Sequence, residues 1–212
     1  MIEDINFVKE KVSSLRNSKN KNLNFIQIGA YDGVSFDDMA NQVLLPTDRG
    51  IFVEPNSLIF STLKNNKALY KESIFLQTAI IPNENFQCED FYVDVYGGQS
   101  TFVKDVISDR LHKKIEKVNV LTVASFIKTY ASFDIDIIFI DCEGYDHDIV
   151  KELLLVCQPS VLYFETWDTV HLNNRSNKHI FTTREEIVDC LIKNNYNYKF
   201  VLNNENIIAY KL

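Results

Sequence analysis

Apolar residues recur along this chain in two rhythms. At the start, Ile5, Val8, Val12 and Leu15 fall three or four apart, which predicts an amphipathic helix over residues 3–16. A polar connector over residues 16–22, rich in Asn, Lys and Ser, leads to the apolar run Leu23 to Ile28, read as a buried strand. The two rhythms then alternate. Residues 35–45 predict a short helix ending before Pro46, Ile51 to Val53 a second strand, and residues 57–66 a helix capped by Asn56. Ile74 to Ala79 reads as a third strand, and Phe91 to Val95 as an added strand or edge element. Val118 to Leu121 is a short strand, with Thr122 capping a helix to Tyr130. Ile135 to Ile140 is the most apolar run and is expected at the centre of the sheet, followed by a helix over residues 145–156 and a strand from Val161 to Phe164.

Strands and helices in turn, with short apolar strands, predict an α/β protein with a mostly parallel sheet covered by helices on both faces. The end of the chain changes character. A helix over residues 183–194 is followed by Tyr198 to Leu202 and Asn206 to Tyr210, too close in sequence to pair other than antiparallel. A seven-stranded, mostly parallel sheet finished by an antiparallel hairpin is the outline of the Rossmann-like class I methyltransferase fold. Residues 1–22 form an N-terminal helix and connector, and residues 23–212 a single domain.

Composition narrows the function. With 22 basic and 29 acidic residues the formal net charge is −7, which disfavours a broad phosphate-contacting surface and hence a nucleic-acid partner. Cys88, Cys142, Cys157 and Cys190 lie far apart without zinc spacing, so they read as reduced thiols. No run is long and apolar enough for a membrane span, and residues 1–11 lack the apolar core of a signal peptide. A soluble protein of the cytoplasm is the expectation, and the oligomeric state stays open.

In an open parallel sheet, ligands sit beyond the carboxyl ends of the strands. Those ends here are residues 29–33, Glu54, residues 78–80, 141–144 and 165–167, and all but residues 78–80 carry a carboxylate. Gly29 and Gly33 bracket a turn that allows close backbone approach, but Tyr31 stands where a dinucleotide fingerprint requires glycine. Glu54 follows Gly33 by 21 residues, where a carboxylate can accept from both ribose hydroxyls. Asp32 in the turn would clash with a pyrophosphate and suit a cation, which favours S-adenosylmethionine over a dinucleotide.

The ordered pieces Ile26-Gln27-Ile28-Gly29-Ala30-Tyr31-Asp32-Gly33, Val53-Glu54-Pro55-Asn56, Gly97-Gly98-Gln99-Ser100-Thr101 and Ile140-Asp141-Cys142-Glu143-Gly144-Tyr145-Asp146, with the strand ending at Glu165, carry a resemblance. Over residues 24–166 the chain resembles the FkbM family of S-adenosylmethionine-dependent methyltransferases. The resemblance implies a Rossmann-like fold and methyl transfer to a hydroxyl oxygen, usually of a sugar, a glycosylated product or a polyketide. It assigns Gly29, Asp32 and Glu54 to the cofactor and puts Ala79 near its adenine. Ala30, Gly33, Pro55, Ser100 and Asp141 complete the candidate cofactor set. The chain departs from the family pattern at Tyr31, often Asn, and at Phe139, often Lys.

Attack by a hydroxyl on a methyl sulfonium calls for a base. His147, His171 and His179 are the candidates, in the order His147 then His171, while His112, between basic neighbours, reads as a surface residue. Asp141, ending the central strand, can accept from the cofactor ammonium or the substrate, orient a base, or bind magnesium together with Glu165. Asp146 and Asp148 have a plainer reading as partners of a helix N-terminus. Residues 97–117 and 167–182 are expected to build the site for a small-molecule or glycan acceptor. Two rival readings share these residues: a nicotinamide-dependent oxidoreductase, and a catalytically inactive Rossmann-like binding protein.

Overall fold

Every strand of the main sheet presents apolar side chains to both faces, and this period-two pattern sets the architecture. In the computed structural model, which describes residues 2–35, 38–84, 90–94, 100–102, 113–166 and 181–211, seven strands form one sheet. They are β1 (Asn24–Ile28), β2 (Arg49–Val53), β3 (Ile74–Leu76), β8 (Ile137–Ile140), β9 (Val161–Glu165), β10 (Asn197–Val201) and β11 (Asn206–Tyr210). Their order is β3-β2-β1-β8-β9-β11-β10, parallel from β3 to β9, with β11 antiparallel to both its neighbours. This is the Rossmann-like class I methyltransferase fold that the sequence predicts, with β8 at the middle of the seven.

On one face, Ile26, Ile28, Val53, Ile140, Leu162 and Phe164 pack against α4 (Val123–Tyr130), α5 (Asp146–Val156) and α6 (Arg184–Lys193). On the other, Phe25, Phe52, Phe139 and Tyr163 pack against α1 (Ile2–Lys19), α2 (Asp38–Val43) and α3 (Ser57–Asn66). The predicted caps form: Asn56 accepts from Leu58 N–H, Thr122 from Ser125 N–H, and Thr183 makes a capping box with Glu186.

The first helix runs to Lys19, into residues read from sequence as connector, because two ion pairs fasten its last turn. Arg16 meets the buried Asp48 at 2.5 Å, and Lys19 meets the buried Asp136. Asp48 also accepts from Leu23 and Leu45 N–H. The helix therefore shares the domain's own core through Val8, Val12 and Leu15.

The predicted strand Ile74 to Ala79 is two strands. After β3 the chain leaves the sheet, and β4 (Ala79–Ile81) pairs in parallel with β7 (Val120–Thr122). Thr78 Oγ1 and Ala79 N–H both donate to Asn119 carbonyl, fixing that departure. A further antiparallel pair joins β5 (Phe91–Asp94) to β6 (Lys113–Glu116). Among the described residues, no helix is long and apolar enough to cross a membrane.

Candidate functional site

The chain steps outward from β1 to β2 and β3, then returns to place β8 on the other side of β1, so the strand order switches between β1 and β8. Ligand crevices open at such a point. Gly29 sits there with φ +78°, and a Cβ on it would lie 1.7 Å from the Asp141 carbonyl oxygen. Only glycine lets the ends of β1 and β8 come this close. Gly29 and Ala30 N–H both donate to Val53 carbonyl, which ties the turn to the end of β2.

Glu54 closes the same corner from the β2 side. Its carboxylate accepts from Tyr31 N–H at 2.8 Å and Asn56 N–H at 2.7 Å, and the residue is 4% exposed. Burial pushes its pKa up to about 7 against the pull of those two N–H groups, and the Asp141 charge adds to the rise. Asp141 is enclosed by protein mass yet open to water in the cleft. Its pKa is raised, by desolvation first, with Glu143 N–H opposing.

Between these ends lies a cavity of about 560 Å³. Of the residues expected at the cofactor, Gly29, Glu54, Pro55, Ala79, Ser100 and Asp141 line it. Ala30, Asp32 and Gly33 do not. Ala30 is fully buried in the core on the α1–α3 face. The Asp32 carboxylate accepts from Val34 N–H, Ser35 N–H and Ser35 Oγ, closing its own turn. Partial burial raises its pKa, but the Ser35 and Val34 donors outweigh that and leave it lowered. Gly33, φ +75°, lets the turn lie on α3, since a Cβ would come within 2.9 Å of Leu63 and 2.7 Å of Lys67.

His147 is not among the lining residues. It is buried in the first turn of α5, with Nδ1 2.9 Å from Thr182 carbonyl and Nε2 2.9 Å from Thr166 Oγ1. A carbonyl can only accept, so Nδ1 carries the proton and Nε2 accepts from Thr166, whose hydroxyl in turn accepts from Arg184 Nε–H. Desolvation lowers the His147 pKa. Asp148 accepts from Thr182 N–H and hydroxyl, and Asp146 from Cys142 and Gly144 N–H. These three polar residues clamp loops together: Asp146 the turn after β8, and His147 with Asp148 the residues that lead into α6. Desolvation, then the Asp141 charge, raises the Asp146 pKa.

His171, His179, Trp167, His112, Gly97, Gly98 and Cys88 lie outside the described residues, as do most of the two stretches expected to hold the acceptor. Cys142, Cys157 and Cys190 are free thiols. Asp141 and Glu165, the pair considered for magnesium, both line the cavity, but among the described residues no group of three His, Cys, Asp or Glu is placed to hold a metal ion.

The cavity also takes in residues that sequence reasoning missed: Gln27, Phe139 and Tyr163. Each stands two positions before a strand end already singled out, Gly29, Asp141 and Glu165 respectively, and so rises from the same face. The described lining residues bring four carboxylates, Glu54, Asp141, Glu143 and Glu165, and no Lys, Arg or His.

Comparison with known proteins bears on this cleft. The family model described as the methyltransferase FkbM domain matches residues 27–199. No curated protein matches the chain. Solved structures similar to it include an O-methyltransferase family protein from Burkholderia thailandensis, at 8% identity and TM-score 0.49, covering 98% of this chain and 57% of that one. Another is a precorrin-6y C5,15-methyltransferase from Geobacter metallireducens, at 13% identity and TM-score 0.47, covering 97% and 87%. A third is a putative caffeoyl-CoA O-methyltransferase from Staphylococcus aureus, at 13% identity and TM-score 0.48, covering 98% and 82%.

Proposed function

The chain belongs to the FkbM methyltransferase family, and on that premise we propose that its cleft binds S-adenosylmethionine and directs the methyl group to a hydroxyl oxygen of a sugar or glycoconjugate. The observation that carries the reading is the charge of the cleft: four carboxylates and no cationic side chain among its described lining residues. Such a site attracts an ammonium and a sulfonium and repels a diphosphate, which counts against a nicotinamide dinucleotide.

S-adenosylmethionine supplies a methyl group activated on a positively charged sulfur. Glu54 accepts from the ribose hydroxyls, with Pro55, Ala79 and Ile80 as apolar walls for the base. Asp141, at the strand switch and open to the cleft, faces the reacting end. There Asp141 would orient the acceptor hydroxyl towards the methyl group and take up its proton. A raised pKa makes Asp141 a better proton acceptor than an ordinary aspartate. Free thiols at Cys142, Cys157 and Cys190 suit the reducing cytoplasm.

The test is calorimetric titration with S-adenosylhomocysteine beside NADH, followed by incubation of neutral sugars with ¹³C-methyl S-adenosylmethionine. Micromolar binding of the first ligand alone, with label appearing as an O-methyl resonance, supports the reading. Binding of NADH alone favours an oxidoreductase, and binding of neither favours a non-catalytic protein.

A further inference from the structure

The cavity has two ends. One, built on β1, β2 and β4, carries Gly29, Glu54 and Ala79. The other is built on β8, β9 and β11, and sheet register organises it into two rows. In the first row Phe139 is in register with Gln27 on one side and Tyr163 on the other. Asp141 and Glu165 stand two residues further along the same strands, so their side chains rise from the same face as Phe139 and Tyr163. Asn206 is in register with Glu165 and completes this second, polar row. All six side chains line the cavity.

An aromatic row beside a polar row is an amphipathic surface of a particular kind. Phe139 and Tyr163, 4% and 8% exposed, line the cavity wall on which the C–H face of a saturated ring would rest. The two carboxylates of the polar row accept from hydroxyls, and Asn206 both donates and accepts. Neighbouring strands are about 4.8 Å apart, so groups on adjacent carbons of one ring reach adjacent members of the row. Asp141 is the member of that row next to β1, and so next to the cofactor end.

We propose that this second end is the acceptor subsite, that it takes an uncharged pyranose-like ring bearing adjacent hydroxyls, and that Glu165 and Asn206 select which hydroxyl faces Asp141. The assignment rests on the S-adenosylmethionine reading of the first end. Glu165 and Asn206 hold the hydroxyls next to the reacting one, and carboxylates along the row disfavour phosphorylated or carboxylated rings.

The test begins with protein saturated in S-adenosylhomocysteine, whose own binding is measured first. Methyl pyranosides of glucose, mannose and galactose are then titrated by saturation-transfer NMR, beside glucuronate and glucose 1-phosphate. At least one neutral pyranoside binds tenfold or more tightly than either anion. Glu165→Gln and Asn206→Ala each weaken that binding at least tenfold and change the S-adenosylhomocysteine Kd by less than twofold. Failure of the wild-type protein to bind S-adenosylhomocysteine overturns the cofactor reading itself. With that binding intact, three results overturn the acceptor assignment: binding of no neutral pyranoside, equal or tighter binding of an anion, or unchanged pyranoside binding by both variants. Loss of S-adenosylhomocysteine binding in Glu165→Gln that Asn206→Ala does not share moves Glu165 out of the acceptor end.

Discussion

Replacing Glu54 by Gln separates what this residue does for the fold from what it does for the cofactor. In the free protein its carboxylate is largely buried at the cavity wall, accepts two backbone N–H groups, and has a pKa raised from 4.5 to about 7. Ionising it there costs roughly 3 kcal/mol relative to the unfolded chain, taking about 1.4 kcal/mol for each pH unit of that rise. The sign follows: between pH 4.5 and 7 the folded state holds the proton more tightly, so the group's contribution to stability falls as pH rises. Gln removes this cost but turns an NH₂ towards one of the two N–H donors, a loss of about 1–3 kcal/mol. Near pH 8 the two effects offset, and the melting temperature of Glu54→Gln stays close to wild type; near pH 5 the variant is less stable.

Cofactor binding behaves differently, because hydroxyl donors favour the ionised carboxylate. The S-adenosylhomocysteine Kd of the wild type is flat above pH 7 and rises towards tenfold per pH unit below it, where binding releases the proton held by Glu54. Glu54→Gln weakens binding at pH 8 by about 10- to 100-fold, the equivalent of one charge-assisted hydrogen bond of about 1.5–3 kcal/mol. It also abolishes the limb centred near pH 7, while Asp141→Asn keeps a limb and moves it to lower pH, because the Asp141 charge contributes to the Glu54 rise. Isothermal titration calorimetry in buffers of different ionisation enthalpy reads both affinity and proton release. A limb that survives in Glu54→Gln, or a wild type without one, refutes the reasoning.

Three further outcomes follow from the geometry. Gly29→Ala drives a Cβ to within 1.7 Å of the Asp141 carbonyl at a positive φ, so thermal unfolding shows a loss of several kcal/mol or no cooperative fold; a melting temperature within 2 °C of wild type contradicts the close approach of β1 and β8. Arg16→Ala leaves Asp48 buried without its cation and destabilises by about 3 kcal/mol in urea titration, and an unchanged midpoint removes α1 from the cooperative core. His147→Ala costs about 2 kcal/mol and leaves S-adenosylhomocysteine affinity unchanged. Because the His147 pKa is lowered, its contribution is complete above the unfolded value of 6.5 and is lost as pH falls below it, and ¹⁵N spectra should show the Nδ1–H tautomer.

The alternation of helix and strand was legible because each strand is short, apolar on both faces and bounded by polar turns, and because the two last strands lie too close in sequence to run parallel. The departure at Thr78 was not. Ile74 to Ile81 is one apolar stretch apart from Gln77 and Thr78, and nothing in it says that Ala79 will find Asn119 rather than continue beside β2. At the site, strand ends and their carboxylates could be read from position, which is why Glu54 and Asp141 were found. Orientation within a turn could not. Asp32 and His147 are close to the cleft in sequence, yet an Asx-type turn consumes one and the two threonines Thr166 and Thr182 the other. Gln27, Phe139 and Tyr163 read as core until the register shows that they share a face with the strand-end residues.

The most direct measurement of the central claim is a crystal structure of the protein with S-adenosylhomocysteine. The account predicts the ribose hydroxyls on the Glu54 carboxylate, the adenine against Ala79, and the sulfur turned towards Asp141 and the Phe139–Tyr163 end of the cavity. Ligand density elsewhere on the protein, or in the cleft with the ribose away from Glu54, contradicts it.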